Sequence, residues 1–308
     1  MKNILLIGCG KLGFRYLQAI NRLNLKFECT VIEKKKIIRD KLKIIFDQKF
    51  KFYPNIPSTS KKFDICIVVT QAKNRYLAVV NTNKKVTCKN WILEKNLAIT
   101  PKQIILLNNE LRKKNVWINT PLRIFKIFKY LKKNRKKIID VKIFGKNWGL
   151  SSNAIHFIDV FSWIFKSKLK EINFSQNIKW IFNKKNKTWE IFGSILILFN
   201  NKKIIKIKHE KTKKNIFTTL IEARTKKDKI KIDQLNYKIF KNKEQLMIKE
   251  TISPYLSIHM TRIINDILLI KKCNLPKLSN TFCNHKIFVQ ELQRSFFYKN
   301  KKKKLIIN

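Results

Sequence analysis

The first 120 residues alternate short apolar runs with longer segments in which apolar residues recur every three or four positions. Runs such as Phe63–Thr70, apolar and rich in β-branched side chains, are typical of strands that are buried on both faces. Segments 11–23 and 101–114 have the spacing of amphipathic helices. Strands that alternate with helices predict an α/β domain with a doubly wound parallel sheet over residues 1–119.

The pattern changes beyond residue 120. In Lys203–His209 isoleucine alternates with lysine, which is typical of an antiparallel strand with one buried face and one wet face. Asn200 and Asn201 separate this run from the apolar segment Ser194–Phe199, and the three together predict a hairpin. Helical segments precede and follow the strands, at 152–165 and 279–298. We therefore expect a second, α+β domain over residues 120–308, with an open and mostly antiparallel sheet.

Glycine is scarce, with six residues in 308, and half of it lies in one hexamer. The hexamer, Gly8-Cys9-Gly10-Lys11-Leu12-Gly13, follows the apolar run Ile4–Ile7 and precedes a predicted helix. In such a turn the first glycine allows the tight bend, the second lets a pyrophosphate approach the backbone, and the third lets helix and strand pack closely. The helix N-terminus then offers N–H groups to the phosphates. The context predicts a Rossmann-type dinucleotide-binding turn.

Glu33 ends the second predicted strand, about 20 residues after the glycine turn, where an acid hydrogen-bonds the 2′-hydroxyl of the adenosine ribose. This position favours NAD. The lysines that follow leave an alternative open, because Lys34 or Lys35 could hold the 2′-phosphate of NADP instead. A solvated acid without a ligand is the third reading of the same residue.

Two further segments combine residue types that suit proton transfer. Glu94 and Lys95 end a predicted strand of the parallel sheet, at the edge where ligands bind. Ser152, His156 and Asp159 have helical spacing and share one helix face. Histidine suits acid–base work near neutrality. The spacing alone does not distinguish Lys95 from the other lysines of the chain, and it favours a structural role for His156.

Composition narrows the classes of protein that fit. The net charge is +50, but most of the 69 basic residues are lysines spread over the whole chain, whereas base readout favours arginine. We therefore expect no specific nucleic-acid partner, only weak attraction to polyanions. The six cysteines are scattered without metal-ligand spacing, so we expect reduced thiols and no metal site. No apolar run approaches the roughly 20 residues of a membrane span, and no signal-peptide cleavage site is evident, so a cytoplasmic protein is expected.

Taken in order, these segments resemble the Gfo/Idh/MocA family of nicotinamide-dependent oxidoreductases over essentially the whole chain. The resemblance rests on the glycine hexamer, Asp64–Thr70, Leu93–Ala98, Asn119–Arg123, Ile155–Asp159, Trp189–Gly193 and Leu275-Pro276 with Cys283-Asn284-His285. It implies that NAD or NADP is bound by the hexamer with Glu33, Thr70 and Glu94. It also implies catalytic roles for Lys95 and His156, and a substrate site that includes Arg123, Ser152, Asn153 and Asp159.

Two departures from the family pattern leave the activity open. Asn96 stands where the family usually has proline, and Ser152 stands where many members have aspartate, four residues before the histidine. The lead-in Asn147–Asn153 is similar to a subgroup associated with nucleotide-sugar and surface-polysaccharide biosynthesis. The resemblance thus implies a sugar or nucleotide-sugar oxidoreductase. Because the outer face of an open sheet needs cover, we also expect homo-oligomers that form through the C-terminal sheet. The alternative is a non-redox member that binds cofactor or nucleotide sugar as a regulator or assembly partner.

Overall fold

A computed structural model describes residues 1–57, 62–184, 187–212, 218–248, 256–300 and 305–307. Contacts divide the chain into two units. The first comprises Met1–Ala98, Lys102–Asn119 and Ile252–Phe282, and the second comprises Ile99–Pro101, Thr120–Thr251 and Cys283–Asn308. Residues 119 and 120 belong to different units, and the segment Ile252–Phe282 clusters with the first unit.

The first unit contains a parallel sheet. Its strands among the described residues are β1 (Lys2–Ile7), β2 (Phe27–Ile32), β3 (Phe50–Tyr53), β5 (Ile65–Val68), β7 (Asn90–Leu93) and β8 (Asn115–Ile118), and β4 (Lys62–Phe63) pairs separately with β6 (Thr87–Cys88). The strand order β3-β2-β1-β5-β7-β8 reverses at β1, as in dinucleotide-binding domains. All residues of β5 and β7 are buried, because helices cover both faces of such a sheet. The doubly wound parallel sheet is confirmed.

The helices follow the predicted order. They are α1 (Lys11–Asn21), α2 (Lys36–Ile45), α3 (Ala72–Lys85), α4 (Pro101–Glu110), α5 (Lys126–Lys133), α6 (Leu150–Phe165), α7 (Leu256–Ile270) and α8 (Leu278–Lys299), with a 3₁₀ helix at Pro121–Ile124. In the described part of the chain, no helix combines the length and apolar character needed to cross a bilayer.

The second unit contains a mixed sheet, which confirms the predicted α+β architecture. Its strands are β9 (Ile138–Lys146), β10 (Leu169–Phe174), β11 (Lys179–Asn183), β12 (Thr188–Phe199), β13 (Ile204–Glu210), β14 (Thr218–Thr225), β15 (Lys229–Asp233), β16 (Lys238–Lys241) and β17 (Glu244–Leu246). Strand β13 runs parallel to β9, whereas the other pairs are antiparallel. In β13 exposed and buried residues alternate, so one face of the strand packs against the core and the other is exposed to solvent.

Short elements account for the differences from the sequence analysis. The edge strand β3 was not predicted, because four residues carry too little periodicity to stand out. The predicted strand Phe63–Thr70 is divided between β4 and β5. The predicted hairpin between β12 and β13 is present, but its connection spans residues 200–203, and Lys202 rather than an asparagine adopts positive φ, at 63°.

Candidate cofactor and substrate sites

The glycine turn joins β1 to α1, and each of its glycines meets a different steric environment. Gly8 has φ of +94°, a backbone conformation that disfavours side chains. A Cβ on Gly13 would lie 2.1 Å from the carbonyl oxygen of Gly8, so only glycine allows helix and strand to approach this closely. A Cβ on Gly10 would meet nothing within 4 Å. The turn is therefore closed on its protein side and open at Gly10, as a pyrophosphate cradle requires.

Of the residues between these glycines, one is buried in the core and two are exposed at the surface. Cys9 is buried, and burial together with the Glu33 carboxylate raises the pKa of its thiol far above the ordinary value. Cys9 is thus a neutral packing residue, and its backbone rather than its thiol is available to a ligand. Lys11 and Leu12 are exposed in the first turn of α1, which contains no acidic residue. That helix end suits an anion.

Glu33 follows β2 and turns its carboxylate toward the glycine turn. Its Oε2 accepts the Cys9 N–H at 2.8 Å, and its Oε1 accepts the Lys35 N–H at 3.0 Å. Each carboxylate oxygen can accept more than one hydrogen bond, so a ribose hydroxyl fits beside these two donors. The guanidinium of Arg39 binds the backbone carbonyls of Glu33 and Lys34, at 2.7 and 2.8 Å. Glu33, the predicted acid, is therefore hydrogen-bonded to the predicted glycine turn.

Thr70 lies just beyond β5, next to the turn. The carbonyl carbon of Val69 and the backbone nitrogen of Thr70 would lie 3.2 and 3.3 Å from a Cβ on Gly8. The Thr70 hydroxyl oxygen is buried and has no hydrogen-bond partner among the described residues. Arg75, itself 2% exposed, donates to the carbonyl oxygens of Thr70 and Asn96. It therefore ties the end of β5 to the segment after β7.

Glu94 and Lys95 follow β7 directly. Glu94 is 3% exposed, and its Oε1 accepts hydrogen bonds from the Tyr16 hydroxyl and the Asn119 amide, each at 2.5 Å. Burial, and then the Glu94 carboxylate, raises the pKa of Tyr16 well above its ordinary value, so its hydroxyl remains a donor. Lys95 is half-buried, and the peptide bond to Asn96 is cis.

The first unit thus brings together the predicted cofactor residues at the carboxyl ends of β1, β2, β5 and β7, the edge at which ligands of such sheets bind. Tyr16, Arg75 and Asn119 have no site role that the sequence alone predicted. Arginine is rare beside lysine in this chain, so Arg75, five residues after the threonine that ends a strand, is the one signal in the sequence for this contact. Burial lowers the pKa of Arg75 to about 10, so it stays charged at neutral pH.

In the second unit, α6 carries four of the predicted residues. Asp159 is fully buried and forms an ion pair with Arg123, which lies in the 3₁₀ helix. Arg123 Nε and Nη2 donate to the two carboxylate oxygens at 2.7 and 2.5 Å, in the two-pronged geometry that binds carboxylates most strongly. Ser152 and His156 are half-buried on the same helix. The structure thus joins Arg123 to Asp159 and places both in an internal ion pair.

The N-terminus of α6 borders a pocket of about 490 Å³. Two predicted substrate residues, Ser152 and Asn153, line it. Glu190, on β12, also lines it, and its Oε1 accepts the N–H groups of Ser151 and Ile191 at 2.6 and 2.9 Å. A carboxylate here also compensates the positive end of the helix dipole. His209 and Trp148 line the same pocket, and no role for them was predictable from the sequence, since their partners are distant in the chain.

Comparison with known proteins finds similarity in structure but no match by sequence. No family model matches the sequence, and no curated protein matches it. Biliverdin reductase from Synechocystis sp., in complex with biliverdin and NADP⁺, aligns with a TM-score of 0.72 and 12% identity, over 95% of this chain and 98% of that chain. UDP-N-acetylglucosamine 3-dehydrogenase from Acidithiobacillus ferrooxidans gives a TM-score of 0.70 and 11% identity, over 95% and 96%.

A super-repressor mutant of Gal80p from Saccharomyces cerevisiae also aligns, with a TM-score of 0.71 and 13% identity, over 96% of both chains. At these identities the likeness establishes a shared fold. The chain has the two-part α/β fold of these reductases and dehydrogenases along nearly its full length.

Proposed function

We propose that this protein is an NAD(P)-dependent oxidoreductase of the Gfo/Idh/MocA type that acts on a secondary alcohol or ketone of a sugar or nucleotide sugar. The observation that carries the proposal is the glycine turn, which is closed around Gly8 and Gly13 and open at Gly10. The named neighbours support it, because one is in complex with NADP⁺ and another is a UDP-N-acetylglucosamine dehydrogenase.

In this proposal the backbone of residues 8–13 holds the pyrophosphate and Glu33 holds the adenosine ribose. NAD is favoured over NADP, since a 2′-phosphate would approach a carboxylate that already bridges Cys9 and Lys35. Thr70 and Glu94 border the rest of the cofactor. NAD(P), when bound, supplies or accepts the hydride.

Lys95 and His156 are the proposed proton-transfer residues. Lys95 hydrogen-bonds the substrate hydroxyl, and His156 accepts or returns the hydroxyl proton, a role that histidine commonly fills in general acid–base catalysis. Ser152 and Asn153 bind substrate hydroxyls in the second unit. Arg123 and Asp159, the other proposed substrate residues, support the substrate site as a pair, because their ion pair holds α6 in position.

A second candidate function is a non-redox regulator or assembly partner that binds the cofactor or a nucleotide sugar. Ser152 and Asn96, which replace the family's usual aspartate and proline, favour it, as does the likeness to the super-repressor mutant of Gal80p. For the redox enzyme we propose a cytoplasmic location and a place in surface-polysaccharide biosynthesis. We also propose homo-oligomers that form through the second sheet.

The test begins with NADH and NADPH titrations followed by nicotinamide fluorescence. We expect NADH to bind more tightly, and turnover with a member of a nucleotide-sugar panel that includes UDP-N-acetylglucosamine. Lys95→Ala and His156→Ala should each lower kcat about 10²–10⁴-fold without loss of NADH affinity. Lys85→Ala, which removes an exposed lysine of α3, is the matched control and should retain the wild-type rate.

The outcomes separate the candidates. Tight NADH binding without turnover on any sugar would favour the non-redox function. Full turnover by both alanine variants on the true substrate would refute the proposed roles of Lys95 and His156. Absence of NADH and NADPH binding would refute the cofactor assignment itself.

A further inference from the structure

Helix α2 lies at the margin of the parallel sheet and buries little of its apolar surface. It connects β2 to the edge strand β3. Five of its ten residues are isoleucine or leucine, yet Leu42 is the only one of the ten that is buried. The eleven-residue α1, by comparison, buries five of its residues. An amphipathic helix normally turns its apolar face toward the core, so α2 carries more apolar surface than the sheet covers.

The uncovered apolar residues form a stripe along one side of α2. Ile37, Ile44 and Ile45 are 67%, 87% and 59% exposed. Together with Lys41 they occupy positions i, i+4, i+7 and i+8, which lie on one face of a helix. These four residues are called the α2 stripe below. Side chains this exposed contribute little to the core, so the stripe is accessible to a partner.

A groove continues the stripe at the C-terminal end of α2. Ile44 and Ile45 line it together with Phe46 and Phe50, and its volume is about 550 Å³. Its lining is completed by Lys43, Asp47 and Gln48. The ring of Phe46 packs against those of Phe14 and Phe50, with centroids 5.9 and 4.9 Å apart. The exposed isoleucines therefore border a recess that is backed by an aromatic cluster.

The surroundings of the stripe are strongly basic. Residues 34–49 contain six lysines and one arginine against two aspartates. Arg39 is held by the protein itself, because its guanidinium donates to two backbone carbonyl oxygens at 2.7 and 2.8 Å. Lys36, Lys41 and Lys43 are exposed. The charge of this surface is therefore complementary to an anionic partner.

The position of Lys41 among the isoleucines distinguishes between anionic partners. The cores of protein–protein interfaces are depleted of lysine, and a second copy of this chain carries the same positive charge and is repelled. Nucleic-acid binding is dominated by contacts to phosphates, to which isoleucine contributes nothing. At a bilayer surface, by contrast, a lysine stem lies along apolar surface while its ammonium group reaches the headgroups. An anionic bilayer uses both components of the stripe.

We propose that α2 docks this protein on the surface of an anionic lipid bilayer. Ile37, Ile44 and Ile45 enter the boundary between headgroups and acyl chains, and the lysines of α2 contact the lipid phosphates. The helix lies in the plane of the surface, because its opposite side, with Leu42, packs against the protein. Three isoleucines give reversible binding. The proposal goes beyond the oxidoreductase function and does not depend on it, since none of these residues is assigned to cofactor or substrate.

The experiment is co-sedimentation of the full chain with lipid vesicles. One set of vesicles contains phosphatidylcholine alone, and the other contains equimolar phosphatidylcholine and phosphatidylglycerol. We expect the partition coefficient to be at least about tenfold higher on the anionic vesicles. Binding to them should persist at physiological salt, because salt screens the attraction of the lysines but not the insertion of the isoleucines.

Paired substitutions separate insertion from attraction by charge. Ile37→Gln combined with Ile44→Gln removes two apolar side chains, keeps the charge and keeps a good helix former; binding to the anionic vesicles should fall at least about tenfold. Leu77→Gln combined with Ile270→Gln is the matched control, at side chains of α3 and α7 that are 58% and 63% exposed, and should bind as the wild-type protein does. Lys41→Gln should weaken binding about fivefold at low salt.

Two results would overturn the proposal directly. One is a wild-type protein that does not bind the anionic vesicles. The other is a double variant of α2 that binds them as tightly as the wild-type protein, because adsorption would then come from the net charge of +50 alone. Circular dichroism verifies that each variant is folded. If the double variant does not fold, Lys41→Gln decides the matter, since wild-type vesicle binding by that variant contradicts the proposal.

Two further measurements test the other occupants of the stripe. If the double variant of α2 loses as much affinity for a duplex RNA as for the vesicles, the stripe is a general polyanion surface and the lipid proposal is wrong. If light scattering shows that the double variant dissociates an oligomer of the wild-type protein, and the wild-type protein does not bind vesicles, the stripe contacts a second copy instead. Unchanged RNA binding and an unchanged oligomeric state, with lost vesicle binding, support the lipid surface.

Discussion

At the scale of single residues, the two outer glycines of the turn are required by backbone geometry and the middle one is not. Gly8 needs its positive φ, and Gly13 needs the absence of a side chain against the Gly8 carbonyl. Gly10 has φ of −66°, which any residue adopts, and open space around it. A glycine that the fold itself does not need is explained by a ligand that approaches the backbone there.

This difference predicts opposite outcomes for two conservative substitutions. Gly10→Ala should change the free energy of unfolding by less than about 0.5 kcal/mol, yet weaken NADH binding at least about tenfold, because its methyl group enters the pyrophosphate space. Gly13→Ala should lower the free energy of unfolding by about 1–3 kcal/mol or more, because its Cβ collides with backbone. Denaturant unfolding and nicotinamide fluorescence measure the two quantities. Wild-type NADH affinity in Gly10→Ala would contradict the assignment of the turn.

At the scale of elements, α6 is held by charged groups at its start and near its middle. The Glu190 carboxylate accepts the Ser151 N–H at its start, and the ion pair of Asp159 with Arg123 fixes its middle to the 3₁₀ helix. The side chains of this pair are 0% and 13% exposed. Removal of one partner from such a pair leaves a charge without compensation in a site that water cannot reach.

Asp159→Asn should therefore lower the free energy of unfolding by about 3–5 kcal/mol, measured by denaturant titration. The exposed pair of Arg224 with Asp140 is the control, since its arginine side chain is 64% exposed. Asp140→Asn should cost less than about 1 kcal/mol, because solvent screens that pair. Wild-type stability in Asp159→Asn, combined with lost sugar binding, would instead make Asp159 a direct substrate ligand.

At the scale of the whole molecule, the outer face of the second sheet mixes charged and apolar side chains. Leu196, Ile204 and Leu220 are 38%, 36% and 48% exposed and lie at outward positions of β12, β13 and β14. Lys206 and Glu222 lie at outward positions on the same sheet. With a net charge of +50, two copies repel each other at long range, so association through this face should strengthen as salt screens that repulsion.

We expect light scattering to show a dimer or larger oligomer whose fraction rises with ionic strength. Leu220→Glu should shift the protein toward monomer, because it places a charge in the apolar part of the face. Leu77→Glu, at an exposed leucine of α3 (58% exposed), is the control and should leave the oligomeric state unchanged. A monomer at all salt concentrations would overturn the proposed interface.

Much of the cofactor site was predictable because its determinants are local. The order strand, glycine turn, helix is contained in residues 2–21, and Glu33 lies one strand further along. Backbone requirements at Gly8 and Gly13 follow from the type of turn, whatever the rest of the chain does. The alternation in β13 likewise revealed a half-exposed sheet before any contact was known.

Partners far apart in the chain were not predictable. Tyr16 reaches Glu94 across 78 positions, and Asn119 reaches Tyr16 across 103. Trp148 reaches His209 through a gap that Gly145 leaves on a neighbouring strand. No periodicity within a segment reports such pairs, because they depend on which strands become neighbours in the sheet.

The sequence by itself determined the fold class, the glycine turn and the acid that faces it, since these depend on interactions between residues close in the chain. Tertiary structure alone decided that Asp159 is buried against Arg123, that Gly10 faces open space, and that the buried ring of His209 packs against Trp148 and Phe192. The physical reason is that burial and long-range hydrogen bonding exist only once separate elements pack together, and they determine the chemistry available to each of these groups.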